Sequence, residues 1–291
     1  MNEKFNPTST KVFHPPKIGE QISYRGKIYT LGKLIGAGNF ASVYECYDEW
    51  DNELVAKIPL PQKGTYEQIR SEWIQELDKL SKLRHPNITY IYDAFEYRDT
   101  FYIIIERCAS TLTDLINNPT IKGDIWIPHL AHDLLQALHF IHENDYVHKD
   151  IHPGNIFISW IKDRMVPLKD PVLTFKIGDL GITRLEKDID VLNTLLAEWM
   201  LPPEFLNPVE FGTVNKQVDI YHIGLLLLSL LTKKIPSFNR DEIIQGKPRQ
   251  IAEQISSPYA PIIAASLRRH TKDRIPSALD FWRAISRIKR R

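Results

Sequence analysis

Near Cys108 the hydrophobic pattern of this 291-residue chain changes its period. Upstream, from 21 to 58, the chain runs in short β-rich stretches punctuated by glycine: QISYRGKIYTLGKLIGAG, FASVYECYD and ELVAKIPL. That pattern predicts an antiparallel meander with tight turns at Arg25-Gly26 and Asp51-Asn52. Residues 66–84, YEQIRSEWIQELDKLSKLR, place Ile69, Trp73, Leu77 and Leu80 three or four apart, which predicts an amphipathic helix. HPNI breaks it, and ITYIYDAFEY and TFYIIIER read as two more strands. Beyond Cys108 the pattern turns helical, with a long helix over 126–143 and helices again from about 203. Two short strands, NIFI and TFKI, flank a polar insert at roughly 160–173. The expected fold class is therefore α+β: a small antiparallel β-sheet lobe with one helix, then a larger, mainly helical lobe. The expected boundaries are a tail or strap over 1–20, a first lobe over 21–107 and a second over 108–291. Clefts between two such lobes are common ligand sites.

With 43% hydrophobic residues the chain can build the core that two lobes need. Its 37 basic and 36 acidic side chains leave a formal net charge of +1, unlike the strong positive field of a nucleic-acid binder. Two cysteines, Cys46 and Cys108, are too few for a disulfide framework and point to free thiols in a reducing compartment. The N-terminal stretch lacks the apolar core of a signal peptide. The longest apolar run, IGLLLLSLL at 223–231, is about half a membrane span and reads as a buried helix. A soluble, cytoplasmic protein with no membrane span and no nucleic-acid partner is expected.

Four stretches carry candidate chemistry, each with an ordinary structural alternative. In GAGNFASV at 36–43, Gly36 and Gly38 would let backbone N–H groups approach a polyphosphate, though a Gly-x-Gly turn between strands is also a common hairpin. A strand follows rather than a helix, which excludes a dinucleotide fold, and the Gly-Lys-Ser/Thr ending of a P-loop is missing. Lys57 sits in the apolar strand LVAKI, where it needs a negative partner unless it faces solvent at an edge. Glu76, beside Leu77 on the helix stripe, is the candidate partner. IGDLG at 177–181 ends a strand on Asp179, a carboxylate suited to Mg²⁺ or simply part of a turn. HKDIHPGN at 148–155 is a polar surface turn, or a catalytic loop with Asp150 as base and Asn155 as metal ligand.

Together these stretches stand in the order and spacing of the eukaryotic-type serine/threonine protein kinases, and the chain resembles a divergent member of that family over about residues 28–287. GAGNFASV resembles the Gly-rich loop, LVAKI the strand of the phosphate-anchoring lysine, HKDIHPGN the catalytic loop and DLG the Asp-Phe-Gly element. PPE at 202–204, DIYHIG at 219–224 and Arg274 resemble segments that do no chemistry, with Arg274 matching the arginine that pairs with Glu204. The resemblance implies a bilobal protein-kinase fold and transfer of the γ-phosphoryl of ATP, with Mg²⁺ or Mn²⁺, to serine or threonine hydroxyls of a protein substrate. It implies that Lys57 grips the α/β-phosphates and that Glu76 orients it. Asp179 and Asn155 would hold the metal, and Asp150 would accept or orient the acceptor proton. Val43, Val55 and Phe157 resemble the apolar sandwich around adenine, with Ile105 as gatekeeper and 106–108, including Glu106 and Cys108, as hinge. Leu80, Ile91, His148 and Leu180 match the family's regulatory column, with Asp219 anchoring His148.

The chain also departs from the family. Ala41 replaces the third glycine of the loop, Lys149 an arginine and Leu180 a phenylalanine. His152 stands where the family carries a lysine on the γ-phosphate; histidine can donate a hydrogen bond there, and a charge when protonated. Ala197 stands where a threonine braces the catalytic aspartate, and Thr194 lies near the usual phosphorylation site, where a phosphate would meet Lys149 unless the loop is active unmodified. The histidines at 129, 132, 139 and 142 lack the convergence of a metal site, and His142 matches a structural histidine. Two other readings use the same residues: a pseudokinase that binds nucleotide as a scaffold, and a small-molecule kinase of the aminoglycoside or choline type. PPE, DIYHIG and Arg274 argue against the second.

Overall fold

The computed structural model describes residues 11–14, 16–37, 41–60, 65–161, 172–180, 183–186 and 200–288, with backbone alone for Leu80, Ile161 and Arg184. Gly38, Thr194, Ala197 and the insert at 162–171 lie outside these residues. The chain divides into two units, one of residues 1–82 and 90–107, the other of 83–89 and 108–291.

Among its described residues the first unit is an antiparallel sheet with one helix, as the patterning predicts. Its strands are β1 (Gln21–Tyr24), β2 (Lys27–Ala37), β3 (Ala41–Tyr47), β4 (Glu53–Pro59), β5 (Ile91–Tyr97) and β6 (Thr100–Glu106), in the order β1-β2-β3-β4-β6-β5. Tyr24 pairs with Lys27, so Arg25 and Gly26 form a two-residue turn, and both take positive φ, 49° and 81°. That left-handed pair matches the twist of the strands it joins. The reversal from β3 to β4 is wider than the expected Asp51-Asn52 turn, because Tyr47 pairs with Glu53. Asp48 organises it by accepting the amides of Trp50 and Asn52, each at 2.9 Å.

Alternation along β3, β4 and β6 gives the sheet two different faces. One face carries Leu31, Cys46, Leu54, Ala56, Ile58 and Ile104, which pack with Phe95 and Tyr102 into the core. The other carries Val43, Lys57 and Ile103, which lie opposite one another across three strands. The helix α1 (Tyr66–Lys82) covers this second face at Phe101, whose ring meets Tyr66 at 5.2 Å and Trp73 at 5.0 Å. Residues 11–14 are a strap on the β5–β6 turn: Lys11 pairs with Asp99 at 2.8 Å and the His14 amide donates to Thr100 at 3.1 Å.

The second unit is mainly helical. It contains β7 (Ser110–Thr111), α2 (Leu112–Asn117), α3 (Gly123–Glu143), β8 (Tyr146–Val147), β9 (Ile156–Ile161), β10 (Val172–Ile177) and β11 (Arg184–Leu185). It continues with α4 (Pro203–Leu206), α5 (Pro208–Phe211), α6 (Gln217–Thr232), α7 (Arg240–Ile244), α8 (Lys247–Gln254), α9 (Ala260–Ser266) and α10 (Ala278–Ser286). The apolar run at 223–231 lies in α6, buried from Val218 to Leu230. Gly123 lets the start of α3 approach the backbone of α6, since a Cβ there would strike the Leu230 carbonyl. Among the described residues no helix is long and apolar enough to cross a membrane. Cys46 and Cys108 are not joined in a disulfide.

The segment 83–89 groups with this unit. Ile88 bridges Ile177, the Asn87 side chain donates to the Phe175 carbonyl at 2.9 Å, and the His85 ring stacks on Phe140 at 5.5 Å. HPNI therefore does more than end α1: it adds a short parallel pairing to the strand that leads to Asp179.

Candidate active site

In the first unit, Lys57 resolves its alternatives through Glu76. The ammonium lies 2.8 Å from Glu76 Oε1, with side-chain exposures of only 16% and 12%. Both charges are largely withdrawn from water, so either one alone would be costly. Lys57 is therefore an inward-facing lysine with a carboxylate partner, on the face shared with Val43. Gly36 pairs with Val43, and Val55 pairs with Ile105. Glu106 ends β6, where its carboxylate accepts the Tyr90 amide at 2.6 Å.

The second unit holds Asp150, His152, Asn155, Phe157 and Asp179, along with Cys108, which is partly buried beside Ala109. The loop before β9 is organised around a buried carboxylate. Asp219, fully buried on α6, accepts the amides of His148 at 2.8 Å and Lys149 at 2.7 Å, and meets His142 Nε2 at 2.9 Å. Burial alone would raise its pKa, but the His142 hydrogen bond and the nearby histidines outweigh that and hold it below the ordinary carboxylate value. These bonds hold Lys149 in left-handed backbone at φ 70°, an unusual state for a side-chain-bearing residue. Lys149 is itself buried, at 3% exposure. His148 then spans the site, accepting the Asp150 amide at Nδ1 and donating from Nε2 to the Gly178 carbonyl at 3.1 Å.

Asp150 and Asn155 are joined directly. The Asn155 Nδ2 donates to Asp150 Oδ2 at 2.9 Å and to the Asp150 carbonyl at 3.0 Å. With its nitrogen so engaged, the carboxamide presents Oδ1 as a hard oxygen donor. Asp179 follows Gly178 in left-handed backbone at φ 55° and is exposed. A Cβ at Gly178 would come within 3 Å of the Phe157 ring, so glycine is required for the strand to pass Phe157. The oxygen donors of Asp179 and Asn155 are of the type that Mg²⁺ and Mn²⁺ take. His152 Nε2 lies 3.8 Å from Asp150 Oδ2, and burial pushes its pKa down against the pull of that carboxylate.

Glu204 and Arg274 also meet as expected, with Nη1 to Oε1 at 2.6 Å and both side chains fully buried. Two residues escaped the sequence reading. Asn87 is one. The other is His222, whose signal was a histidine three residues after Asp219, at the start of the apolar run of α6. Its Nε2 donates to the Met200 carbonyl at 3.1 Å, while Nδ1 has no hydrogen-bond partner among the described residues. Burial drives its pKa from 6.5 to about 4, against the opposing pull of Asp219 and Asp150. A depressed folded-state pKa means that stability is complete above the unfolded value of 6.5 and is lost as pH falls toward 4. The chain is expected to lose roughly 2 kcal/mol between pH 7 and pH 5 through this group. His222→Gln, which keeps a donor for Met200, should remove that part of the slope in urea unfolding at the two pH values. Equal slopes in parent and variant would rule the assignment out.

The pattern of the family described as "Protein kinase domain" matches residues 29–285. Among curated proteins, the chain is similar to serine/threonine-protein kinase TAO2 of Rattus norvegicus, 26% identical over 73% of this chain and 16% of that protein. It is also similar to cyclin-dependent kinase-like 1 of Caenorhabditis elegans, 28% identical over 74% of this chain and 58% of that protein. The CTD kinase subunit alpha of Saccharomyces cerevisiae is 29% identical over 80% of this chain and 40% of its own length. The matched part is thus less than two thirds of each relative. The match spans both units and includes the Lys57–Glu76 and Glu204–Arg274 pairs. The chain belongs to the protein kinase family.

Proposed function

We propose that the chain is an ATP-dependent protein kinase that transfers the γ-phosphoryl group to serine or threonine hydroxyls of a protein substrate, through a catalytic domain spanning about 28–287. The observation that carries this reading is the direct Asp150–Asn155 pairing, which couples a candidate base to a candidate metal ligand on one anchored loop. In this reading Lys57, held by Glu76, neutralises the phosphates with the amides of Gly36 and Gly38. Val43, Val55 and Phe157 pack the adenine, and the backbone at Glu106 and Cys108 binds its edge. Asp150 accepts or orients the hydroxyl proton, and His152 Nε2–H is a donor toward phosphoryl oxygen. Asn155 and Asp179 would hold Mg²⁺, which, when bound, offsets negative charge on the transferring group. The serine/threonine assignment is supported by relatives whose names carry it, TAO2 among them.

The test is incubation with γ-labelled ATP, Mg²⁺ and a generic acceptor protein, followed by phosphoamino-acid analysis. Label on serine or threonine, lost in Asp179→Ala, is the expected result. Nucleotide binding without transfer would replace this reading with that of a nucleotide-binding scaffold.

A further inference from the structure

His152 departs from the kinase pattern, and its ring is committed in a way that a lysine could not reproduce. It caps the 3-10 turn Pro153–Asn155: the Gly154 amide donates to His152 Nδ1 at 3.1 Å, and the Asn155 amide donates to the His152 carbonyl at 2.9 Å. A lysine side chain has no acceptor for that amide. The same geometry recurs elsewhere in the second unit. His85 Nδ1 accepts the Asn87 amide at 3.1 Å in another His-Pro turn, and His148 Nδ1 accepts the Asp150 amide at 3.2 Å. Each of these imidazoles accepts the amide two residues on, which places its proton on Nε2.

Gly154 belongs to the same device. Its φ is not among the positive values, so the turn does not need glycine for its backbone. It needs glycine for space: a Cβ there would lie 2.9 Å from His152 Cε1 and 3.2 Å from Nδ1. We propose that His152 and Gly154 are a coupled pair in which the imidazole caps the turn that presents Asn155, making His152 a positioning residue for the metal ligand. This deepens the functional reading above and rests on it for the role of Asn155.

The experiment crosses His152→Lys with Gly154→Ala and adds His152→Asn, whose side-chain oxygen can accept the same amide. Three quantities are read: the Mn²⁺ affinity of the nucleotide complex by electron paramagnetic resonance, urea unfolding, and the ¹⁵N shifts of the His152 ring. The parent ring is expected to carry its proton on Nε2. His152→Lys should weaken Mn²⁺ binding and lower the folding equilibrium constant, each by about five-fold, while His152→Asn recovers most of both. Gly154→Ala should lower the folding constant about five-fold or more in the parent and have little effect in the His152→Lys background, a coupling expected of groups in contact. A ring protonated on Nδ1 would overturn the proposal. So would additive effects of the two substitutions, or unchanged Mn²⁺ affinity in His152→Lys. Ring shifts and unfolding do not depend on catalysis, so a parent without phosphoryl transfer would count against the kinase reading alone.

Discussion

Replacing Asp150 by alanine is expected to slow phosphoryl transfer by about 10²–10⁴-fold, the range for removing a positioned general base. The structure makes this a clean substitution. Asn155 Nδ2 would lose Asp150 Oδ2 at 2.9 Å but keep the Asp150 carbonyl at 3.0 Å, and the loop would keep its anchors on Asp219. Asp150 is also partly exposed, at 26% of its side-chain surface, so little folding free energy rides on its burial. Nucleotide affinity should therefore stay within a few-fold of the parent while turnover collapses, the signature of an interaction made in the transition state. Asn155→Ala should disturb both, because it removes the two hydrogen bonds together. Initial rates at saturating ATP and Mg²⁺, with a separate nucleotide titration, decide the matter. An Asp150→Ala protein within ten-fold of parental turnover would remove Asp150 from the mechanism.

The largest stability effect is expected at Glu204 and Arg274. Their side chains are fully buried, and the guanidinium is satisfied on every side. Beyond Glu204, it donates to the carbonyls of Arg268 at 2.8 Å, Gln217 at 3.0 Å and Arg269 at 3.3 Å, and it lies 4.8 Å over the Tyr221 ring. Glu204→Ala would leave that cation buried without its counter-charge, and Arg274→Ala would strand the carboxylate and take one donor from each of three carbonyls. Each is expected to cost about 3–5 kcal/mol in urea unfolding. Replacing both partners with apolar residues, Glu204→Leu with Arg274→Met, should recover much of the loss, because no charge is then stranded. A single-substitution cost below about 1 kcal/mol would show the pair behaving like a solvent-screened surface bridge. The pair joins residues seventy positions apart, so its loss should also loosen the start of α6, through the Gln217 carbonyl that Arg274 holds.

These pairs mark the boundary of what the chain discloses when read linearly. Period and punctuation are local properties. The alternation in LVAKI, the Arg25-Gly26 turn and the stripe through Ile69, Trp73 and Leu77 specify strands, hairpins and a helix before any long-range contact exists. The two-part α+β architecture follows from the same patterns, because each apolar face needs a partner layer. The motif stretches were equally legible, since their residue types and spacing do not depend on knowing where they lie in space.

Other features were settled only by packing. Lys57 could have faced solvent until the fold set it 2.8 Å from a carboxylate nineteen positions on. HPNI read as a helix stop, yet Asn87 reaches a carbonyl eighty-eight residues away and ties its segment to the second unit. His222 was hidden by its apolar neighbours, because a single polar residue leaves hydrophobic periodicity almost unchanged. For His152 the sequence showed a departure from the family, but not which ring nitrogen would be engaged. The reason is common to all four. Residue type and spacing dictate local backbone preference, whereas the partner of a charge or a ring nitrogen depends on which distant segment desolvates it, and that is decided only when the chain closes on itself.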